Sequence, residues 1–263
     1  MNRDFLKEII EYKKELLKQK SGYYAALKKN VKTTPHSRYG LFKKAISKPG
    51  RMNLIAEIKK ASPSVGIIRE PFDLNGLART YAENGADALS VLTEDKYFLG
   101  KPTYINRVST EVVLPVLTKD FIIHEHQIFE TFCQGASAIL LIAAILEDVL
   151  LKDLMQVAAD LDMDSLVEVH DESELQRALK AKADIIGINH RNLSTLTIDL
   201  KVSELLVPQI PKGKVIVAES GIKTHAEILK LQALGVHAVL IGESFLRSVD
   251  VGAKVKEIME GRG

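Results

Sequence analysis

The feature that most limits what this chain can fold into is a repeat in its hydropathy. Eight short apolar runs, rich in β-branched residues, fall at 54–58, 88–92, 115–118, 138–142, 165–169, 184–188, 214–218 and 238–241. Between them lie stretches of helical periodicity such as 74–84, 124–134, 148–162 and 225–234. Successive runs begin roughly 20–35 residues apart, the length of one strand–helix unit. Runs that are apolar throughout predict strands buried on both faces, hence a parallel sheet covered by helices. The junctions agree: Gly85, Gly135 and Gly235 each follow a helical stretch and stand three positions before the next run, which begins at Ala88, Ala138 or Ala238. Glycine there permits a left-handed helix cap. Eight such units predict a (β/α)8 TIM barrel. The alternative, a doubly wound open sheet, would show fewer strands and a glycine-rich first turn, which this sequence does not have.

Length and composition fit one large α/β barrel. At 263 residues the chain exceeds a typical single core, and no glycine- or proline-rich linker announces a second domain. We therefore read 1–263 as one barrel domain, with 1–50 as an N-terminal helical extension. Thirty-six Lys and Arg against 34 Asp and Glu give a net charge of +2, which offers no global reason to expect nucleic acid or an anionic membrane. The lone Cys133 excludes an internal disulfide, fits a reducing cytoplasm and, inside a helical stretch, reads as a small hydrophobe. The first residues lack a signal-peptide apolar core, and the longest apolar run, 138–146, falls short of the roughly 20 residues of a membrane helix. A cytoplasmic protein, monomeric or weakly dimeric, is expected. In the extension, Phe5, Ile9, Tyr12 and Leu16 recur at helical spacing, with Lys and Glu on the opposite face and Asn2 or Asp4 as the candidate N-cap. A basic stretch, 28–51, follows. This segment is either a solvated helix with a basic loop or a cover for the barrel mouth.

In such barrels the active site forms at the C-terminal ends of the strands. The first run ends in Glu57-x-Lys59, two residues apart and so on one side of the pleat. Such a pair is either a structural ion pair or part of a site. Lys119, Glu168 and Asn189 fall at matching depths on three other strands, and this convergence favours a site. A lysine beside another cation has a lowered pKa and can serve as an acid, and a carboxylate in a partly apolar pocket can serve as a base. The cationic excess suits an anionic substrate. Ser220-Gly221 and Gly242-Glu243-Ser244 end the last two runs, where these barrels cradle phosphate, although Ser-Gly is also ordinary turn chemistry. No metal is expected: His124-x-His126 has the wrong spacing for one helix face, and His170 and His190 read as isolated loop or surface residues.

These strand ends resemble the indole-3-glycerol-phosphate synthase family. The matching strings are Ile55-Ala56-Glu57-Ile58-Lys59-Lys60-Ala61-Ser62-Pro63-Ser64, Leu89-Ser90-Val91-Leu92-Thr93, Lys96-Tyr97-Phe98 and Lys119-Asp120-Phe121-Ile122. They continue with Leu140-Leu141-Ile142, Gly187-Ile188-Asn189-x-Arg191-x-Leu193, Ala218-Glu219-Ser220-Gly221-Ile222 and Leu240-Ile241-Gly242-Glu243-Ser244. The resemblance implies a ring closure that converts 1-(2-carboxyphenylamino)-1-deoxyribulose 5-phosphate into indole-3-glycerol phosphate, with loss of carbon dioxide and water and with no cofactor or metal. It implies Lys119 as general acid on the substrate carbonyl oxygen and Glu168 as general base that also stabilises the iminium. Lys59 would contact the substrate carboxylate or act as acid in dehydration, Glu57 would orient the lysines, and Asn189 and Ser220 would complete the catalytic set. Ser62, Arg191, Gly221, Gly242 and Glu243 resemble phosphate-side positions, with Glu243 acting through its backbone N–H. Ser90, Phe98, Phe121, Leu140, Leu193 and Ile241 resemble the rest of the substrate pocket. Val65, Lys101, Lys182, His190 and Asn192 depart from the family's pattern, which bears on loop geometry and affinity. The alternatives are another phosphate-binding barrel, either an isomerase or an aldolase using Lys119 or Lys59 in a Schiff base, and a barrel that only binds.

Overall fold

The computed structural model describes residues 5–31, 40–193 and 195–261. Eight parallel strands close into a barrel: β1 (Asn53–Ile58), β2 (Ala88–Leu92), β3 (Val116–Lys119), β4 (Ala138–Ile142), β5 (Asp164–Val169), β6 (Ile185–Asn189), β7 (Val215–Glu219) and β8 (Ala238–Ile241). Each pairs with its neighbours in sequence, and β1 closes the ring against β8. The predicted runs match these strands to within a residue at each end. The open-sheet alternative is excluded by the closure.

The pleat sorts each strand into two cores. Outward residues such as Leu54, Ala56, Leu89 and Val91 pack under the helices, while inward residues such as Ile55, Leu117, Leu140, Leu166, Val217 and Leu240 fill the barrel. Helices α4 (Leu74–Glu83), α5 (Thr103–Glu111), α6 (Glu125–Gln134), α7 (Asp148–Asp160), α8 (Glu172–Lys180), α9 (Lys201–Leu206), α10 (His225–Leu234), α11 (Glu243–Leu246) and α12 (Val251–Glu260) complete the outer layer. Gly135 and Gly235 end α6 and α10 in the left-handed conformation that the sequence predicted. Lys182, just past α8, holds the same left-handed region without being glycine, at φ 64°.

The extension contacts both ends of the barrel. Helix α1 (Phe5–Gln19) buries Ile9 and Lys13, and Phe5 lies edge-on to Tyr97 and Phe121 beyond the C-terminal ends of the strands. The polar-face expectation fails at Lys13. It sits four residues after Ile9, on the same face, and its ammonium lies 2.6 Å from the buried Asp120. Helix α2 (Ser21–Val31) packs along α6, where Tyr24 stacks on His126. Helix α3 (Leu41–Ala45) contributes Phe42, which with Ile46 joins the inward core near the strand starts. The candidate caps Asn2 and Asp4, and 32–39 of the basic stretch, lie outside the described residues. Among the described residues no helix is long and apolar enough to cross a membrane.

Candidate active site

One pleat step above the inward apolar layer the side chains turn polar. Ile55 is followed by Glu57, Leu117 by Lys119, Leu166 by Glu168, Gly187 by Asn189 and Val217 by Glu219. Period-two geometry therefore brings these five onto the floor of one cavity of about 580 Å³. Every residue the sequence nominated lines that cavity except Ser90. Ser90 is wholly buried, in register with Glu57 and Leu117, and its hydroxyl has no partner among the described residues. Because neighbouring strands are staggered, the inward residue of β2 that reaches the cavity is Leu92, paired with Lys119.

The pairing of Lys59 with Glu57 is the ion pair that the sequence offered, whereas that of Lys119 is one it did not reveal. Lys119 Nζ lies 2.6 Å from Glu168 Oε2 and 2.7 Å from Glu219 Oε2. Lys59 Nζ lies 2.5 Å from Glu57 Oε1. The expected lysine beside another cation is thus not what forms: each lysine has its own carboxylate. Burial pushes the Lys119 ammonium down, but Glu168 and Glu219 override it and hold the pKa well above the ordinary lysine value. Burial alone would raise Glu168, yet Lys119 and His170 hold it far below the usual carboxylate range. Glu219 is pushed up to about 7, chiefly by burial, with Lys119 opposing and Glu168 adding to the rise. The floor therefore holds an ionised carboxylate, a protonated lysine and a second carboxyl poised near neutrality.

Glu219 is not among the residues the sequence nominates, where Ser220-Gly221 stands for the end of this strand. The signal that finds it is the alternation itself, since it follows the inward Val217 by two. Its place depends on Gly187, where a Cβ would overlap Glu219 Oε1 and Leu166 Cδ2. Gly242 has the same role toward Glu57, whose Oε1 would lie 2.6 Å from an added Cβ.

Above the floor the cavity has two unlike sides. Phe98, Phe121, Leu140 and Ile142, carried by β2 to β4 and their loops, make one side apolar. Phe98 is held by Glu94, whose buried carboxylate accepts the backbone N–H groups of Lys96, Tyr97 and Phe98. Across the barrel, the loops after β6, β7 and β8 bring Arg191, Ser220, Gly221, Gly242 and Glu243 together, and Ser62 and Leu193 also line the cavity. Ser220 and Gly221 both adopt positive φ, at 69° and 80°, so consecutive left-handed residues shape this loop. Arg191 donates to the Leu196 carbonyl at 3.2 Å and lies 3.6 Å from Glu243, which also meets Arg247 at 3.0 Å.

Two histidines are not the isolated residues expected. His190 is 2% exposed; its Nδ1–H donates to the Ser220 carbonyl at 2.9 Å and its Nε2 accepts from the Ser203 hydroxyl at 2.7 Å. Burial pushes its pKa down, which fits that neutral tautomer behind the Ser220 loop. His170 lies against Glu168. Among the described residues no group of His, Cys, Asp and Glu is arranged to hold a metal ion, and the partly buried Cys133 packs against the outer core.

Comparison with known proteins places these features in context. A sequence model of indole-3-glycerol phosphate synthase matches residues 6–258. The indole-3-glycerol phosphate synthase of Caldanaerobacter subterraneus subsp. tengcongensis is 48% identical over 258 residues, 97% of each chain. That of Campylobacter curvus is 43% identical over 260 residues, covering 97% of this chain and 99% of the relative. Among solved structures, a 3-hexulose-6-phosphate synthase superposes with TM-score 0.64 at 16% identity, over 81% of this chain and all of that one. The N-acetylmannosamine-6-phosphate 2-epimerase of Clostridium perfringens does so with TM-score 0.61 at 17% identity, over 85% of this chain and 96% of that one. At those identities the structural likeness speaks for the barrel alone.

Proposed function

Because the chain belongs to the indole-3-glycerol phosphate synthase family, we propose a division of that family's reaction among the residues of this cavity. The enzyme is a decarboxylating lyase of tryptophan biosynthesis. It closes the indole ring of 1-(2-carboxyphenylamino)-1-deoxyribulose 5-phosphate, releasing carbon dioxide and water. The observation that carries the assignment is Lys119 held between two buried carboxylates, at the floor of a cavity that is apolar on one side and built for an anion on the other.

The substrate is long and bipolar, and the cavity matches it in charge and polarity. Its phosphate meets Arg191 and the backbone N–H groups of Gly221, Gly242 and Glu243. Its aryl ring fills the space between Phe98, Phe121 and Leu140, and its carboxylate meets Lys59. Held at both ends, the ketone carbon lies over the floor. The ring carbon that bears the carboxylate attacks this ketone carbon, and the carbonyl oxygen gains negative charge as the new bond forms. Lys119 gives that oxygen a proton. A lysine whose proton is held by two carboxylates is a weak acid toward water, but a forming alkoxide is a much stronger base, so the transfer is favourable. The ring nitrogen is now an iminium, stabilised by the ionised Glu168. Carbon dioxide leaves and its bonding electrons restore the aromatic ring. The hydroxyl then departs as water with a proton from Lys59, while Glu168 removes a proton from the adjacent carbon. Two protons given, one taken and one carbon dioxide lost balance the overall conversion. Asn189 accepts the Arg191 backbone N–H at 3.0 Å, linking the floor to the phosphate side.

Substitution tests the assignment. Lys119→Ala and Glu168→Gln each lower turnover by two or more orders of magnitude with the fold intact. Borohydride added with substrate leaves no covalent adduct, because no lysine acts as a nucleophile. An adduct on Lys119 or Lys59 would move the reading to the Schiff-base alternative.

A further inference from the structure

The general base has a second cation that the ring closure does not use. Glu168 offers its Oε2 to Lys119, and its Oε1 lies 3.3 Å from His170 Nε2. His170 stands just beyond β5, two residues after Glu168, and does not line the cavity. Its other ring nitrogen, Nδ1, is 2.9 Å from Glu174 Oε2, and the same oxygen accepts the His170 backbone N–H at 2.8 Å. Glu174 sits in the first turn of α8, where Asp171 caps the helix by accepting the Glu174 N–H at 2.9 Å. The three residues form a chain running from the outer helix inward to the floor.

We propose that His170, anchored by Glu174, is a positioning residue that fixes the Glu168 carboxylate and keeps it ionised at the moment Lys119 gives up its proton. The need follows from charge. Before the transfer Lys119 neutralises Glu168; afterwards a buried carboxylate faces a neutral amine, and its simplest escape is to take up a proton and lose its use as a base. A cation on the far oxygen, away from the substrate, removes that escape. An imidazolium suits the position because its Nδ1–H donates to Glu174 while its Nε2 side faces Glu168 Oε1 at 3.3 Å, a charge contact rather than a formed hydrogen bond. The groups whose charge reaches His170 are Glu168 on its own strand, Glu174 from α8 and, through Glu168, Lys119 of β3 and Glu219 of β7. Burial opposes the imidazolium, but Glu168 and Glu174 raise it to about 10, so it stays charged across the neutral range.

This inference rests on Glu168 being the base, and its test separates the two. The first arm follows the His170 ring by NMR in ¹⁵N-histidine-labelled enzyme, with the signal assigned by its loss in His170→Asn. The resting enzyme should keep this ring protonated past pH 8, and Glu174→Gln should bring its titration down by a unit or more. A ring that titrates near the ordinary histidine value overturns the proposal whatever Glu168 does. The second arm is the pH profile of kcat. His170→Asn should lower kcat about ten- to a hundredfold, as when a buried carboxylate's pKa rises by about one to two units, with KM changed less than threefold. The acidic limb should also move to higher pH, with Glu174→Gln shifting it the same way by less. A uniform loss at every pH, with the limb unmoved, would mean that His170 only supports the fold and would sink the proposal. Wild-type turnover in Glu168→Gln would instead overturn the assignment of the base.

Discussion

Lys13→Met tests whether α1 is a cover that can lift from the barrel mouth or an inseparable part of it. The Lys13 ammonium is 2.6 Å from Asp120 Oδ1, and the two side chains are only 5% and 10% exposed. Removing one partner of a buried ion pair costs about 3–5 kcal/mol, because the other charge is left uncompensated. Asp120 keeps two further donors, the Thr93 hydroxyl at 2.6 Å and the Phe121 N–H at 2.7 Å, so the lower end, about 3 kcal/mol, applies. The protein can meet that cost in two ways. It can lose global stability, which at this size would lower Tm by roughly 6–12 °C. Or α1 can lift, letting water reach Asp120 at the expense of what docks the helix. That docking rests on the fully buried Ile9, worth about 1.5–3 kcal/mol, the Phe5 ring contacts and hydrogen bonds such as Tyr12 to Asp95 at 2.9 Å. The two costs are similar, so the lifted state becomes well populated once the ammonium is gone. Lys13→Met should therefore expose α1 to limited proteolysis and raise KM several-fold, with Tm falling by up to roughly 6–12 °C because the docking energy is lost as well. Adding Asp120→Asn should recover much of the KM, because both charges are then absent. A full Tm loss with unchanged KM and unchanged proteolysis would refute the argument and make α1 part of the barrel's cooperative unit.

Three further outcomes follow from the same geometry. Gly187→Ala should cost about 1–3 kcal/mol of stability and lower kcat, because the new methyl displaces Glu219 from Lys119; urea melts and turnover together check it. Glu243→Gln removes the carboxylate shared by Arg191 and Arg247 and should tighten inhibition by inorganic phosphate about two- to fivefold, read as a lower Ki. His170 and Glu219 both have raised folded-state pKa values, about 10 and about 7, so their contributions are present in full at low pH and fall away as pH rises through those values. Unfolding measured from pH 5 to 10 should show His170→Asn flattening the decline between about 6.5 and 10, and Glu219→Gln flattening it between about 4.5 and 7.

The barrel was legible in the sequence because burial on both faces writes each strand as a short continuous apolar run. Floor residues such as Glu57, Lys119 and Glu168 were legible because a charge breaking such a run at its C-terminal end has few structural explanations. What could not be read is which residues meet. Lys13 looks like one more solvent-facing lysine until Asp120, 107 positions later, is brought against it. The lysine pairing failed for the same reason: spacing shows that two cations share a mouth but not that Lys119 stands between carboxylates of β5 and β7. Ser90 shows the limit of counting depth along separate strands, since the stagger of a closed barrel sets it a layer below Glu57's companions. His170 reads in the sequence as an isolated loop residue because it falls outside the strand, yet its ring keeps the strand's direction one residue past the end.

The most direct test of the central claim is turnover by the purified protein with 1-(2-carboxyphenylamino)-1-deoxyribulose 5-phosphate, followed by the rise of indole fluorescence and by released carbon dioxide. The account predicts one carbon dioxide for each indole-3-glycerol phosphate formed, with turnover lost in Lys119→Ala. Purified, folded protein that yields no indole product from this substrate would contradict it.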